Sequence, residues 1–239
     1  MDSFEILKQY IDEAESIVFF GGAGVSTESG IKDFRSADGI YNMKFDYPPE
    51  YMLSHSFFKT HPKEFFDFYR TMMLCDGIEP NKAHYALAKL EEEGKLKAVI
   101  TQNIDGLHQK AGSKTVYELH GTTLRNYCHR CGKSFSTEYV SACDDVPYCE
   151  CGGIVKPDVV LYEEQLDQTT IRLAVEAISH ADLLIVAGTS LTVYPAAGLI
   201  DYFKGKHIVL INRDATPYDD MADLVIREPV GETLGKVVL

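Results

Sequence analysis

The chain has 239 residues, 45% of them hydrophobic, which is enough for one large domain or a domain carrying an insert and excludes a disordered chain. Its net charge of −13 excludes the basic face that nucleic-acid binding requires. The charged opening MDSFEILKQYIDEAE excludes a signal peptide, and no apolar run nears the roughly 20 residues that span a bilayer.

These features predict a soluble cytoplasmic protein with no membrane partner; a monomer is expected, though not from these features. In a reducing compartment, close-set cysteines mean metal or chemistry rather than disulfides. Phe4, Leu7, Ile11 and Ala14 recur at helical spacing and predict a first helix over residues 3–15. SIVFF (16–20) is a short apolar run ended by glycines and predicts a buried strand. Residues 21–35 then read GGAGVSTESGIKDFR. Gly22, Ala23 and Gly24 open a phosphate-type loop, and Ser26, Thr27 and Ser29 add hydroxyls beside an expected helix N-terminus, a natural seat for a pyrophosphate. Thr27 stands where a dinucleotide fingerprint has its third glycine, and the chain turns polar at once instead of continuing into helix, strand and acid.

Residues 36–80 break the pattern with Pro48-Pro49 and a helix near 62–74. Asn81 is placed to cap AHYALAKLEEE, which Gly94 ends. Strand-like runs follow at AVIT (98–101), LLIVAG (183–188), HIVLIN (207–212) and DLVI (223–226). Helices are expected over 171–179 and 195–203, and a short one at the end. Apolar strands alternating with helices predict an α/β fold: a Rossmann-like parallel sheet with helices on both faces. The interruptions predict a smaller helical and zinc-ribbon domain from 36–80 and 123–157, beside a nucleotide-binding domain from 1–35, 81–122 and 158–239. Ligands gather at the carboxyl ends of such strands, where this chain places GGAGVST, QNID, GTSL and NRD.

Cys128 and Cys131 enclose two residues, Cys149 and Cys151 enclose one, and seventeen separate the pairs. Four thiolates satisfy a tetrahedral zinc completely, so a site on these residues is structural and leaves no position for reactive water. Cys75 and Cys143 lack close partners. Gln102, Asn103 and Asp105 end a buried strand with two amides and a carboxylate, suited to a sugar or a carboxamide, although capping alone would account for either of the last two. His120, in YELHG, lies at the edge of the same crevice, and imidazole is the usual general base near neutral pH. His108, in QNIDGLH, is the next candidate.

Taken together, GAGVSTESGIKDFR, TQNIDGLH, LHGT, the cysteine pairs, GTSLTVYP and LINRD resemble the sirtuin family of NAD-dependent protein deacylases over nearly the whole chain, in the compact form of bacterial members. The resemblance implies NAD as cofactor and one structural zinc. It implies that Gly22, Ala23, Gly24 and Thr27 hold the pyrophosphate, and that Asp33, Phe34 and Arg35 form a loop closing over the nicotinamide ribose. Gln102, Asn103, Ile104, Asp105 and His120 would surround ribose and carboxamide, with Asn103, Asp105 and His120 catalytic. Gly188, Thr189, Ser190, Asn212 and Arg213 would line the adenosine half, which Val230 closes. An acetylated protein or peptide would lie extended between a wall of Val159, Val160, Leu161, Tyr162 and Glu163 and another of Leu191 and Val193, pairing by main-chain bonds. The implied reaction moves the acetyl group from lysine to ADP-ribose and releases nicotinamide, with His120 as base on a ribose hydroxyl.

The chain departs from the family pattern at Lys32, where proline is usual, at Glu163, where glycine is usual and a glutamate would favour basic substrates, and at the shortened second cysteine pair. Members that take dicarboxylic acyl groups carry a Tyr-x-x-Arg pair. The nearest approach here is Tyr41 with Lys44, so neutral acyl groups are expected. The rival expectations are mono-ADP-ribosyl transfer to protein, deacylation of other neutral acyl chains, and a zinc-braced nucleotide-binding module without catalysis.

Overall fold

The computed structural model describes residues 1–36 and 38–239. Helix α1 (Ser3–Glu13) begins at a capping box, in which Asp2 accepts from Phe4 and Glu5 backbone N–H groups while Glu5 accepts from Asp2 N–H. Strand β1 (Ile17–Gly21) follows, then α2 (Pro49–Met52), α3 (His55–Thr60), α4 (Pro62–Met72), α5 (Lys82–Glu92), β2 (Leu96–Thr101), α6 (Leu107–Ala111) and β3 (Val116–Glu118). The chain continues through β4 (Gly121–Cys128), β5 (Ser134–Phe135), α7 (Thr137–Ser141), β6 (Val155–Val159), α8 (Gln168–His180), β7 (Leu183–Ala187), β8 (His207–Ile211), β9 (Leu224–Ile226) and α9 (Val230–Val238).

Six strands form a parallel sheet in the order β3-β2-β1-β7-β8-β9. This is the expected parallel α/β sheet, with one strand more than the apolar runs announce. Strand β3 is three half-buried residues at the sheet edge, too short for a periodic signal. Strand β1 is buried along its length because both faces are covered. Ile17 and Phe19 pack with Leu7 and Ile11 of α1, Ala86 and Leu87 of α5, and Leu234 of α9. Val18 and Phe20 pack on the other face with Ala174 and Ile178 of α8 and with Ala196 and Ile200.

Two helix expectations are corrected. After β1 the chain makes two single 3-10 turns, Ala23–Val25 and Thr27–Ser29, and no α-helix begins there. Gly30, at φ +89°, ends the second turn, and Asn81 Nδ2 donates to Val25 O and Ser29 Oγ, pinning the loop to the start of α5. The segment Ala196–Tyr202 is likewise a 3-10 helix.

A second sheet, in the order β5-β4-β6, is antiparallel and packs with α2, α3 and α4. Its core is aromatic: Phe57, Phe58, Phe65, Phe66, Phe68 and Tyr69 are buried against Val140, Val155 and Leu161. Each buried phenylalanine contributes roughly 2–3 kcal/mol over an exposed one, enough to give the smaller lobe a core of its own.

Candidate active site

A cavity of about 420 Å³ opens where the strands of the large sheet end, within the size range of ligand pockets. Its floor is made by the loops after β1, β2, β7 and β8: Gly22 to Thr27, Gln102 to Asp105, Gly188 to Ser190, and Asn212 with Arg213. Val230 and Glu228 lie at one end. The smaller lobe adds Leu53, Met72, Met73 and Cys75 to the lining, and residues 159–164 line the cavity as well.

The floor depends on two backbones that cross in contact. Gly24 N–H donates to Gly188 O at 2.8 Å, and a Cβ on Gly24 would sit 2.7 Å from Gly188 Cα. Gly188 has φ +58°, and a Cβ there would collide with Val25 N and Gly24 C. Both positions therefore require glycine.

Ser26 is the hub of the polar floor. Its buried hydroxyl donates to Asp105 Oδ2 at 2.7 Å and accepts from Asn103 Nδ2 at 3.1 Å. Asp105 Oδ1 accepts from Leu107 N–H at 2.9 Å. Burial raises the Asp105 pKa, and these two donors oppose that shift. Gln102 Nε2 donates to Thr189 Oγ1 at 3.0 Å, tying the β2 loop to the β7 loop.

His120 Nδ1 lies 3.0 Å from Gln102 O. A carbonyl can only accept, so Nδ1 carries the proton and the Nε2 lone pair is left for the crevice. Burial holds the imidazole pKa below its ordinary value, while the bond to Gln102 O raises it. The ring is therefore favoured as the neutral imidazole, with a fixed tautomer whose Nε2 is free to accept a proton.

Asp33 Oδ1 accepts from the Arg35 and Ser36 N–H groups and folds the Asp33-Phe34-Arg35 segment into a turn. Phe34 packs on Tyr41 with ring centroids 5.4 Å apart, and the Tyr41 hydroxyl meets the Tyr162 hydroxyl at 2.7 Å. This joins the turn to the wall formed by 159–164.

The crevice brings together Gly22, Ala23, Gly24, Thr27, Asp33, Phe34, Arg35, Gln102, Asn103, Ile104, Asp105, His120, Gly188, Thr189, Ser190, Asn212, Arg213 and Val230, with Val159, Val160, Leu161, Tyr162, Glu163 and Val193. Leu191 is not among them: its side chain is buried in the core under α8. His108 is also elsewhere, fully enclosed with its ring 4.7 Å from His84 and 6.1 Å from Phe19, which removes it as a candidate base. Lys44 is exposed outside the cavity.

Sequence reasoning missed the wall of Met72, Met73 and Cys75. Burial pushes the Cys75 thiol up to about 12, with Asp105 and Asp76 adding to it, so Cys75 is a lining group and not a nucleophile. Ser26 was noticed only as a hydroxyl of the glycine loop. Its role follows from the bond to Asp105, 79 residues away, and nothing local signals it.

The cysteine pairs converge between β4 and β6. Cys128 and Cys151 Sγ atoms are 3.4 Å apart, those of Cys131 and Cys149 3.7 Å, and all four lie within 4.8 Å of one another. These spacings exceed the roughly 2.05 Å of a disulfide. They approach the roughly 3.8 Å sulfur separation of a tetrahedral site with Zn–S bonds of about 2.3 Å. The donor set fits zinc.

The chain matches the model of the Sir2 family over residues 22–195. It is 62% identical to the NAD-dependent protein deacetylase of Clostridium acetobutylicum, covering 100% of this chain and 99% of that protein. A solved complex of Sir2 with a p53 peptide and NAD+ superposes with a TM-score of 0.86 at 42% identity, covering 99% of this chain and 97% of that one. A Sir2 structure holding an inhibitor, 2′-O-acetyl-ADP-ribose and a deacetylated p53 peptide gives 0.86 at 40% identity, covering 98% and 96%.

Proposed function

The chain belongs to the Sir2 family and is an NAD-dependent protein deacetylase, and from that premise we propose how its own residues perform the reaction. The observation that carries the assignment is His120, with Nδ1 committed to Gln102 O and its free nitrogen left for the crevice that Asn103 and Asp105 also line.

The crevice fits NAD by its donor set and shape. Gly22, Ala23, Gly24 and Thr27 form a close-approach cradle for the pyrophosphate, and Arg35 and Arg213 bring cations to it in a chain of net charge −13. Ser190, Thr189, Asn212 and Val230 receive the adenosine half. When bound, NAD supplies the ADP-ribose that accepts the acetyl group and gives up nicotinamide as leaving group. Asn103 and Asp105, held by Ser26, present fixed dipoles where positive charge develops on the ribose, which costs no reorganisation at the moment of reaction. Gln102 and Ile104 complete that side. Phe34, carried on the Asp33 turn, excludes water. His120 Nε2 takes a proton from a ribose hydroxyl, which makes it the general base.

The acetylated peptide lies between 159–163 and 191–193. Leu191 contributes main chain there, and Val193 a side chain. One zinc on Cys128, Cys131, Cys149 and Cys151 braces the small lobe and takes no part in the chemistry. The acidic composition supports a protein without a nucleic-acid partner, thiols gathered for a metal suit a reducing compartment such as the cytoplasm, and we take the protein as a monomer. Among the described residues no helix is long and apolar enough to cross a membrane.

The test is release of free nicotinamide from NAD with and without an acetyl-lysine peptide. Peptide-dependent release is expected. Transfer of the ADP-ribose label to protein, or no release, overturns the assignment.

A further inference from the structure

Among the described residues, the non-glycine positions with positive φ are Glu163 at +75° and Leu191 at +55°. They stand on the two sides of the groove assigned to the peptide. Strain of this kind persists only where the surroundings over-determine it. Leu191 is held by its buried side chain and by its N–H, which donates to Thr189 Oγ1. Glu163 is exposed, so packing does not hold it.

The turn closed by Glu164 N–H on Leu161 O at 3.0 Å and the Glu163 carboxylate do. Glu163 Oε2 accepts from Ser56 N–H at 2.9 Å and from the Ser56 hydroxyl at 2.7 Å, at the first turn of α3 in the small lobe. The neighbours are fastened to the same turn. Tyr162 N–H donates to Leu53 O at 2.9 Å, and His55 N–H donates to Tyr162 O at 3.0 Å. Glu164 faces His55 Nδ1 at 2.8 Å and Lys156 Nζ at 3.0 Å. A glycine would hold the +75° backbone unaided. A glutamate keeps it with the help of the carboxylate that spans the gap to Ser56.

We propose that Glu163 and Ser56 form a tether that sets the position of the peptide groove's wall against the small lobe, making Glu163 a positioning residue for the acyl-peptide. The inference rests on the groove assignment of the preceding section. It replaces the expectation that Glu163 offers its charge to basic substrates, because the carboxylate is already engaged within the protein. With the tether cut, an L residue at 163 relaxes toward negative φ and shifts the wall's main chain at 163, between the anchored Tyr162 and Glu164.

The test varies acetyl-peptide and NAD independently for wild type, E163A, E163G and S56A, with calorimetric binding of the peptide and thermal unfolding measured on each. E163A is expected to raise the peptide KM and Kd about 5- to 30-fold, the factor implied by the penalty for an L residue in the left-handed region. NAD KM and kcat should stay within about twofold. E163G should be affected clearly less than E163A, because glycine keeps the backbone conformation without the tether. S56A, which leaves one of the two bonds, should fall between wild type and E163A. Wild-type turnover judges the activity itself, whereas the ordering of the variants judges the tether. Peptide affinity within twofold of wild type in E163A, an E163G defect as large as that of E163A, or equal effects on NAD KM would each overturn the proposal.

Discussion

Replacing His120 by Ala separates catalysis from structure, because the side chain contributes to the two on different scales. Structurally, the substitution removes the bond from Nδ1 to Gln102 O, worth about 1 kcal/mol net, which corresponds to a Tm loss of roughly 2–4 °C for a chain of this size. Catalytically, removing a positioned base costs about 10²- to 10⁴-fold, or roughly 2.7–5.4 kcal/mol of barrier at about 1.36 kcal/mol per tenfold. The larger effect should dominate, leaving a folded, zinc-loaded, NAD-binding protein with little deacetylation. Steady-state deacetylation, bound-metal analysis and NAD titration measure the three quantities separately. Nicotinamide exchange should survive better than product formation, because the first attack on the ribose does not call on the base. Burial lowers the His120 pKa, so the acid limb of wild-type kcat/KM should lie below pH 6.5, the ordinary histidine value, and should vanish in the variant. Deacetylation within tenfold of wild type, or an unchanged acid limb, would refute the assignment.

Cys128→Ala and Cys149→Ala should each lose metal and lower the unfolding temperature. Chelation should do the same without competing with peptide or NAD, and a metal-free protein that is fully stable and active would contradict a structural site. An acetyl-lysine peptide should be turned over at least about 100-fold faster than its succinyl counterpart: the cavity's cations, Lys32, Arg35 and Arg213, lie on the loops assigned to NAD, the small-lobe wall of Leu53, Met72, Met73 and Cys75 offers none, and an unpaired buried carboxylate costs several kcal/mol. Comparable rates on both peptides would show that a cation reaches the acyl group. Burial depresses the pKa of His84 to about 4 and that of His108 well below its ordinary value. The unfolded chain then binds more protons below pH 6.5, and stability should fall as the pH drops from about 6.5 through about 4. His108→Leu should keep deacetylation, because the ring is outside the crevice and both its nitrogens lack partners, and it should weaken that pH dependence. Denaturant midpoints equal at pH 7.5 and 5.5 in the wild type would refute this.

The parallel sheet was legible because a strand covered on both faces must be apolar throughout, and SIVFF, LLIVAG and HIVLIN cannot satisfy that condition on a surface. The four loops of the crevice followed from the same runs, since each lies one residue past a strand end. Other features depend on contacts distant in sequence. The 3-10 turns after Gly22 are set by Asn81, and Leu191 is drawn into the core by neighbours on α8 and on Ala196–Tyr202. The wall of Met72 and Met73 lies on the end of a helix whose apolar stripe serves the small lobe's core and the crevice alike, so periodicity alone does not divide the two roles. Glu163 was visible as a departure from the family pattern, but its bond to Ser56 lies 107 residues back.

Strand β1 pairs on one side with β2 and on the other with β7, residue for residue from Ile17 with Leu183 to Gly21 with Ala187. The second partner, ending at Ala187 where the first ends at Thr101, therefore leaves the ribosome about 86 residues later, on the order of 4–17 s at ordinary synthesis rates. Through that interval one edge of a fully apolar strand has its hydrogen-bonding groups open, the condition that invites pairing with another chain. The glycine loop waits as well, because Gly24 has no Gly188 carbonyl to donate to until β7 has docked. Assembly of the floor thus closes late and over a long loop, a topology that slows folding, and a nascent chain released before residue 188 would carry the loop without the backbone that shapes it.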